Sequence, residues 1–321
     1  MSEKKLQNSV RFVGYLKETT LEERVSQKGR KFIMGNITVA LDEFNVHRVR
    51  FLMFEDQGKE RYEALTKFLP DNAMSVARYL KTTPTANFAV ASSMAAKVWV
   101  MAEFEEFVSR SGEKERIGVT LQGRSIGYCD ENKTFVPTAD FDADVYIESI
   151  EDELDGTEED AAPTGRVILN GIIPAYKGLV YKASFIVPSE NNGAKFIKEK
   201  YKAGDSISLH GNLIAMRVQV EKAAEEELED SWGGSDEQQY TTRFVRERRV
   251  TKGHRIDAVL SAKEVKDGLA QREVLMDKNG QRRSAALAAR EEKEVEVEEV
   301  EEATAEVTSS KSATENEDFD F

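Results

Sequence analysis

The chain has 321 residues, of which 40% are hydrophobic, so it is long and apolar enough to form one to three folded domains. Its one cysteine, Cys129, excludes a framework of intrachain disulfides. No run approaches the roughly 18 apolar residues that span a bilayer, and the N-terminus lacks the apolar stretch of a signal peptide. We therefore expect a cytoplasmic protein that does not enter a membrane.

The net charge of −14 is distributed unevenly along the sequence. Residues Glu291–Phe321 hold thirteen acidic residues against two lysines, a net charge of −11, which leaves −3 for residues 1–290. A strongly acidic segment with few apolar residues cannot bury enough surface to fold alone. The split predicts a folded, nearly neutral body followed by a disordered acidic tail that serves interactions.

The first half of the sequence alternates apolar and polar residues in the way typical of strands. Tyr62, Leu65 and Phe68 recur at helical spacing before Pro70, which predicts a helix between two groups of strands. Residues 72–95 are small and weakly patterned, and we expect them to be irregular. The predicted elements are strands at Ser9–Glu18, Lys31–Leu41 and His47–Glu55, a helix at Lys59–Pro70, and strands at Ala96–Arg110 and Arg116–Cys129.

The second half repeats this order of elements without a residue-by-residue repeat. An acidic insertion separates its last two strands, and a helix follows them at Ser261–Met276. The other predicted elements are strands at Asp142–Leu154, Thr164–Tyr176 and Leu179–Pro188, a helix at Gly193–Asp205, and strands at Ser206–Val220 and Tyr240–Thr251.

Three strands, a helix and two closing strands are the order of elements in the OB-fold, a five-stranded, partly open barrel. We therefore predict a mainly β protein with two OB-fold domains, a C-terminal helix and the disordered acidic tail. The predicted bounds are 1–140 for the first OB-fold domain, 141–255 for the second, 256–290 for the helical extension and 291–321 for the tail.

The second and third strands of this fold usually carry the ligand, often an oligonucleotide. Single-stranded nucleic acid is bound by cations that contact phosphates and by aromatic faces on which bases stack. In the first domain the predicted binding residues are Lys28, Arg30, Lys31, Phe32, Arg48, Arg50 and Trp99. In the second domain they are Tyr176, Lys177, Tyr181, Lys182, Arg217 and Arg246.

Some of these aromatic residues also have a structural interpretation. A core position explains Phe32 better than stacking does, and Trp99 lies on the opposite face of its strand from Val98 and Val100. Because Phe51 and Phe54 differ in strand parity, one of them is expected in the core. The arginines of the last strand could form a solvated face that pairs with the acidic segment Glu225–Asp230.

The stretch "AKVWVMAEFEEFVSRSGEKERIGVTLQG" and the ending "ENEDFDF" resemble the fourth and fifth strands and the acidic tail of bacterial and phage single-stranded DNA-binding proteins. The second half, with "TTRFVRERRVTKG" followed by a helix that contains "AQREV", is similar to the tandem OB-fold binders of some phages. The resemblance implies binding of single-stranded DNA in replication, recombination and repair, in the host cytoplasm for a phage protein. It also implies that Asp318, Phe319, Asp320 and Phe321 bind replication or recombination proteins, although Asp320 stands where the family has proline.

Catalysis is not expected from this sequence. The three histidines, His47, His210 and His254, lie in different elements, and no paired-cysteine, phosphate-loop or zinc-protease motif occurs. We therefore predict no enzyme activity, no cofactor and no metal site. The alternatives are an OB-fold module that binds proteins rather than nucleic acid, and a nuclease that assembles a metal site from scattered acids. RNA as the ligand and self-association are both left open.

Overall fold

The computed structural model describes residues 7–111, 114–155, 161–175, 178–221, 240–257, 260–282 and 284–285. The chain divides into two compact units. One comprises Met1–Glu106 and Val119–Leu269 and contains strands β1–β4 and β7–β11. The other comprises Phe107–Gly118 and the chain from Ala270 onward.

Strands dominate the fold, as the alternating sequence pattern predicts. Eleven strands occur in the described residues: β1 (Asn8–Thr19), β2 (Glu22–Val25), β3 (Lys31–Ala40), β4 (Val46–Phe54), β5 (Lys97–Ser111), β6 (Lys114–Tyr128), β7 (Thr138–Asp155), β8 (Ala162–Pro174), β9 (Val180–Val187), β10 (Ser206–Glu221) and β11 (Tyr240–Arg255). The helices are α1 (Lys59–Thr66), α2 (Val76–Thr82), α3 (Phe88–Met94), α4 (Gly193–Lys200) and α5, which covers residues 262–282.

All eleven strands belong to one sheet with the order β10-β11-β9-β8-β7-β1-β5-β6-β4-β3-β2. Two further pairings, β1 with β3 and β7 with β10, join strands that are not neighbours in that order. Each closes a ring of five strands. The first ring contains β1, β3, β4, β5 and β6, and the second contains β7, β8, β9, β10 and β11. Antiparallel pairing of β1 with β7 joins the two rings.

The interior side chains of both rings form one continuous hydrophobic core. Strand alternation sends every second residue inward, as along β4, where Val49 and Phe51 are buried and Arg48 and Arg50 are exposed. At the junction of the rings, Phe104 of β5 packs edge-on to Phe141 of β7 with ring centroids 5.8 Å apart. The two rings therefore share packing as well as backbone hydrogen bonds.

Helix α5 begins with a reciprocal cap. The backbone N–H of Glu264 donates to Ser261 Oγ at 3.2 Å, and the N–H of Ser261 donates to Glu264 Oε2 at 2.8 Å. Val265, in its first turn, packs with Ile172 and Val180 of the second ring. The predicted mainly β architecture and the C-terminal helix are confirmed.

The prediction that residues 72–95 are irregular is wrong. They contain α2 and α3, which begin at the N-caps Ser75 and Asn87, whose side chains accept hydrogen bonds from the N–H groups of Arg78 and Val90. The short edge strand β2 was not predicted either. The predicted disordered tail, 291–321, lies outside the described residues.

Candidate nucleic-acid interface

The outer surface of β3 and β4 brings aromatic, apolar and cationic side chains together. Antiparallel register places Phe32 opposite Phe54, Met34 opposite Leu52, Asn36 opposite Arg50, and Thr38 opposite Arg48. Residues that face each other across a strand pair lie on the same side of the sheet. We call the surface formed by these eight residues the β3–β4 face.

An aromatic pair forms one end of the β3–β4 face. The rings of Phe32 and Phe54 are 5.3 Å apart between centroids, and the Arg30 guanidinium carbon lies 4.4 Å from the centroid of Phe54. Arg30 donates two hydrogen bonds of 2.7 Å to the carboxylate of Asp56. These bonds raise the pKa of Arg30 and lower that of Asp56. Arg30 is therefore a neutralised, fixed support for Phe54 rather than a free cation.

The other end of the face carries cations without acidic partners. Arg48 and Arg50 are exposed and lie two residues apart on the same side of β4, a spacing of roughly 6.6 Å. Lys28, in the β2–β3 turn, and Lys31, next to Phe32 at the start of β3, are also exposed, but they lie towards the aromatic end. Within the part of the chain that the structure describes, none of these four side chains forms an ion pair. Their charge is therefore available to an anionic ligand.

Trp99 does not belong to the β3–β4 face. Its indole is half-buried and lies so close to Gly127 that a Cβ on that glycine would be 2.7 Å from three indole atoms. It lines a cavity of about 220 Å³ together with the inward-facing Phe51, with Leu65 of α1 and with Ile126 of β6. The structure therefore separates Trp99 from the arginines with which the sequence grouped it.

Of the predicted cations of the second ring, Lys182 already has acidic partners. Lys182 Nζ donates to Glu148 Oε1 at 2.6 Å, and the backbone N–H of Lys182 donates to the buried carboxylate of Glu106. Burial, together with the charges of Glu105 and Glu103, raises the pKa of the half-buried Tyr181. Neighbouring cations are paired as well: Arg166 with Glu153 and Glu247, Arg249 with Glu247, and Lys198 with Asp152.

Arg246 lies on the β10–β11 hairpin, exposed, with its guanidinium carbon 4.8 Å from the centroid of the Phe244 ring. The nearby Arg248 is held over Phe104 at 5.6 Å. The sequence prediction omitted Phe54, Phe244 and Arg248. Strand parity could have identified them. Phe54 has the same parity as the exposed Arg50 on β4, and Phe244 and Arg248 have the same parity as the exposed Arg246 on β11.

Several predicted residues lie outside the described part of the chain. Tyr176, Lys177 and the tail residues Asp318–Phe321 are not described, and Arg217 is described only as backbone within β10. Among the described residues, no group of three or more His, Cys, Asp or Glu side chains could hold a metal ion. No described helix has the length and apolar character that crossing a membrane requires.

Comparisons with known proteins give faint structural likenesses. The wild-type single-stranded DNA binding protein from Thermus aquaticus and a deletion mutant of that protein each give a TM-score of 0.43 at 12% identity, over 80% of this chain and 97% of theirs. A replication protein A heterotrimer bound to ssDNA gives a TM-score of 0.19 at 11% identity, over 85% of this chain and 70% of the matched chain. These scores are too low to carry function across, and no curated protein matches the chain in sequence. The YorF family model matches residues 7–282, and the chain therefore belongs to the YorF family.

Proposed function

We propose that each ring is an OB-fold barrel and that the protein binds single-stranded DNA without strong sequence preference. In each ring the first strand pairs with the second and the fourth, and the third pairs with the fifth. A helical segment lies between the third and fourth strands of each ring. This is the connectivity expected of a closed five-stranded barrel of the OB type.

The β3–β4 face is the observation that carries the proposal. It combines Arg48 and Arg50, whose charge is not neutralised by described residues, with the Phe32–Phe54 pair on one continuous surface. Phosphates bind to the cations, and bases stack on the rings with about 1–3 kcal/mol per base. Since every base has a π-face, such a surface tolerates any sequence. A duplex buries its base faces in its own stack and gains only the phosphate contacts.

The same proposal covers the role of the protein. A chain that coats single strands in this way protects them during replication, recombination or repair, by binding and not by catalysis. We propose that the acidic tail, ending in Asp318–Phe321, recruits replication or recombination proteins to the coated strand. An aromatic side chain next to a terminal carboxylate suits an apolar pocket with a basic rim.

The experiment is a fluorescence-anisotropy titration of labelled oligo-dT, with a blunt duplex of the same length as competitor, at two salt concentrations. We expect tight binding of oligo-dT, weak competition by duplex, and affinity that falls as salt rises. Equal affinity for duplex would exclude base stacking. Absence of binding at low salt would overturn the proposal in favour of a protein-binding module.

A further inference from the structure

The β10–β11 hairpin of the second ring presents a second set of unneutralised cations. Register places Leu213 opposite Arg248 and Ala215 opposite Arg246, and Phe244 precedes Arg246 by two residues on β11. These residues share one side of the hairpin. We call the side defined by Phe244, Arg246 and Arg248 the arm face. Phe244 is 46% exposed, so part of its ring is available to a ligand beside the Arg246 guanidinium.

The β10–β11 hairpin contacts the first ring at the β3–β4 turn. The backbone N–H of Ala215 donates to Asn45 Oδ1 at 3.1 Å, so the β3–β4 turn contacts the strand that pairs with Arg246. The positive charge of Arg246 is also close enough to His47 to lower the pKa of that imidazole. From Asn45 to Arg48 the chain advances three residues, so the backbone distance between Arg48 and Arg246 is on the order of 15 Å.

The turn at this junction also carries acidic residues. Asp42 accepts hydrogen bonds from the backbone N–H groups of Phe44 and Asn45, at 2.8 and 2.7 Å, which hold the turn in shape. Its carboxylate forms no ion pair with Arg246 among the described residues. The arm face therefore keeps its positive charge next to this turn.

Arg248 is the most enclosed cation of the arm face. Its guanidinium lies over Phe104, donates to the backbone oxygen of Ser184 at 2.9 Å, and has no carboxylate partner within the described residues. Burial lowers its pKa to about 10, so it still carries a charge at neutral pH. A desolvated cation without a counterion is costly, and a bound phosphate would supply the missing negative charge.

We propose that one strand of DNA runs across both rings, from the Phe32–Phe54 pair past Arg50 and Arg48 to Arg246, Phe244 and Arg248. The second ring then contributes its hairpin arm to a composite path, while its own β8–β9 surface, where Lys182 pairs with Glu148, contributes little. This inference rests on the proposed function and adds the course of the strand and Phe244 as a second stacking residue.

The test measures affinity for dT oligomers of increasing length, with the full chain. Wild-type affinity should rise until an oligomer reaches from the β3–β4 face to the arm. The double variant Phe244→Ala/Arg246→Ala should bind short oligomers like the wild type and lose about tenfold or more on long ones. The matched control, Lys195→Ala/Phe196→Ala, removes an exposed lysine and an exposed phenylalanine from α4 and should behave as wild type.

Two outcomes would overturn the composite path. Wild-type affinity for long oligomers in the arm variant, with equal thermal stability, would show that the strand does not reach the arm and would leave the proposed function standing. An equal loss of affinity for short and long oligomers would also contradict it, because the arm substitutions would then disturb the fold or the β3–β4 face. A wild-type protein that bound no oligo-dT would overturn the proposed function itself.

Discussion

In the proposed function, Phe32 is a stacking platform of the first ring. It is half-buried on the outer side of β3 and faces Phe54, whose ring also contacts the Arg30 guanidinium. Phe32→Ala should lower the affinity for oligo-dT by about 1–3 kcal/mol, because one stacked base loses its platform. Anisotropy titration measures the change. Phe196→Ala, which removes an exposed ring from α4, is the control, and an equal effect of both variants would contradict a stacking role for Phe32.

His47 makes the stability of the fold depend on pH. It is 4% exposed, packs on Phe12 with ring centroids 5.0 Å apart, and its Nε2 has no hydrogen-bond partner among the described residues. Burial and the charge of Arg246 lower its pKa to about 4, from 6.5 in the unfolded chain. The unfolded state therefore binds a proton that the folded state does not, and stability falls as pH falls through this window.

The expected loss from His47 is about 2 kcal/mol in the free energy of unfolding between about pH 7 and pH 5. The free energy of unfolding of His47→Leu should fall by about 2 kcal/mol less than that of the wild type over the same pH interval, whatever the variant's stability at neutral pH. Urea denaturation at both pH values provides the comparison, with His254→Gln, which alters an exposed histidine, as the control. The assignment fails if His47→Leu and wild type lose stability equally.

Roles of single residues were predictable where strand parity decides them. Parity implied that one of Phe51 and Phe54 is in the core, and the structure places Phe51 there, 1% exposed. Parity could not show that Arg30 is held by Asp56, since that carboxylate follows a different strand. Nor could it show that Trp99 lies over Gly127 of β6. Such contacts join positions far apart in sequence.

Gly35 allows the backbone of β3 to approach the backbone of Thr20, the residue that follows β1. Its φ is +144°, and a Cβ there would lie 2.2 Å from the backbone oxygen of Thr20. Gly35→Ala should destabilise the fold by about 2 kcal/mol or more, because backbone atoms have to shift. Gly29, in the β2–β3 turn at φ +74°, has nothing within 4 Å of a Cβ, so Gly29→Ala should cost only about 1 kcal/mol. Thermal melts rank the two variants, and equal losses would contradict the close approach.

At the scale of elements, the long strands and α1 and α4 followed from periodicity alone. Helices α2 and α3 did not, because each has only seven residues and their small buried face, Val76, Ala91 and Ala95, gives a weak helical period. Their N-caps, Ser75 and Asn87, were the available signal. The edge strand β2 has four exposed residues, so no apolar alternation marks it.

At the scale of the molecule, the sequence predicted a repeated order of elements but not the electrostatic difference between the rings. Both halves carry cations on their second and third strands. The described ones in the second ring, Arg166 and Lys182, are neutralised by Glu148, Glu153 and Glu247, which come from β7 and β11. Ion pairs across a sheet depend on register, which strand patterns in a single sequence do not specify. The predicted domain bounds and the contribution of each predicted binding residue stay predictions.

The acidic tail should modulate DNA binding through its charge. Residues 291–321 carry a net charge of −11 on a chain whose remainder is at −3. A tethered polyanion competes with DNA for exposed cations, and salt screens that competition. Deleting 291–321 should therefore tighten oligo-dT binding at low salt and change it less at high salt. Unchanged low-salt affinity in the anisotropy titration would contradict the competition.

The central claim is that Arg48 and Arg50 bind DNA phosphates, and the salt dependence of oligo-dT binding tests it most directly. Each phosphate neutralised contributes a log–log slope of about −0.7, so Arg48→Ala/Arg50→Ala should make the slope less negative by about 1.4. Lys59→Ala/Lys195→Ala, which removes two exposed cations from α1 and α4, should keep the wild-type slope. A wild-type slope in the arginine variant would contradict the account.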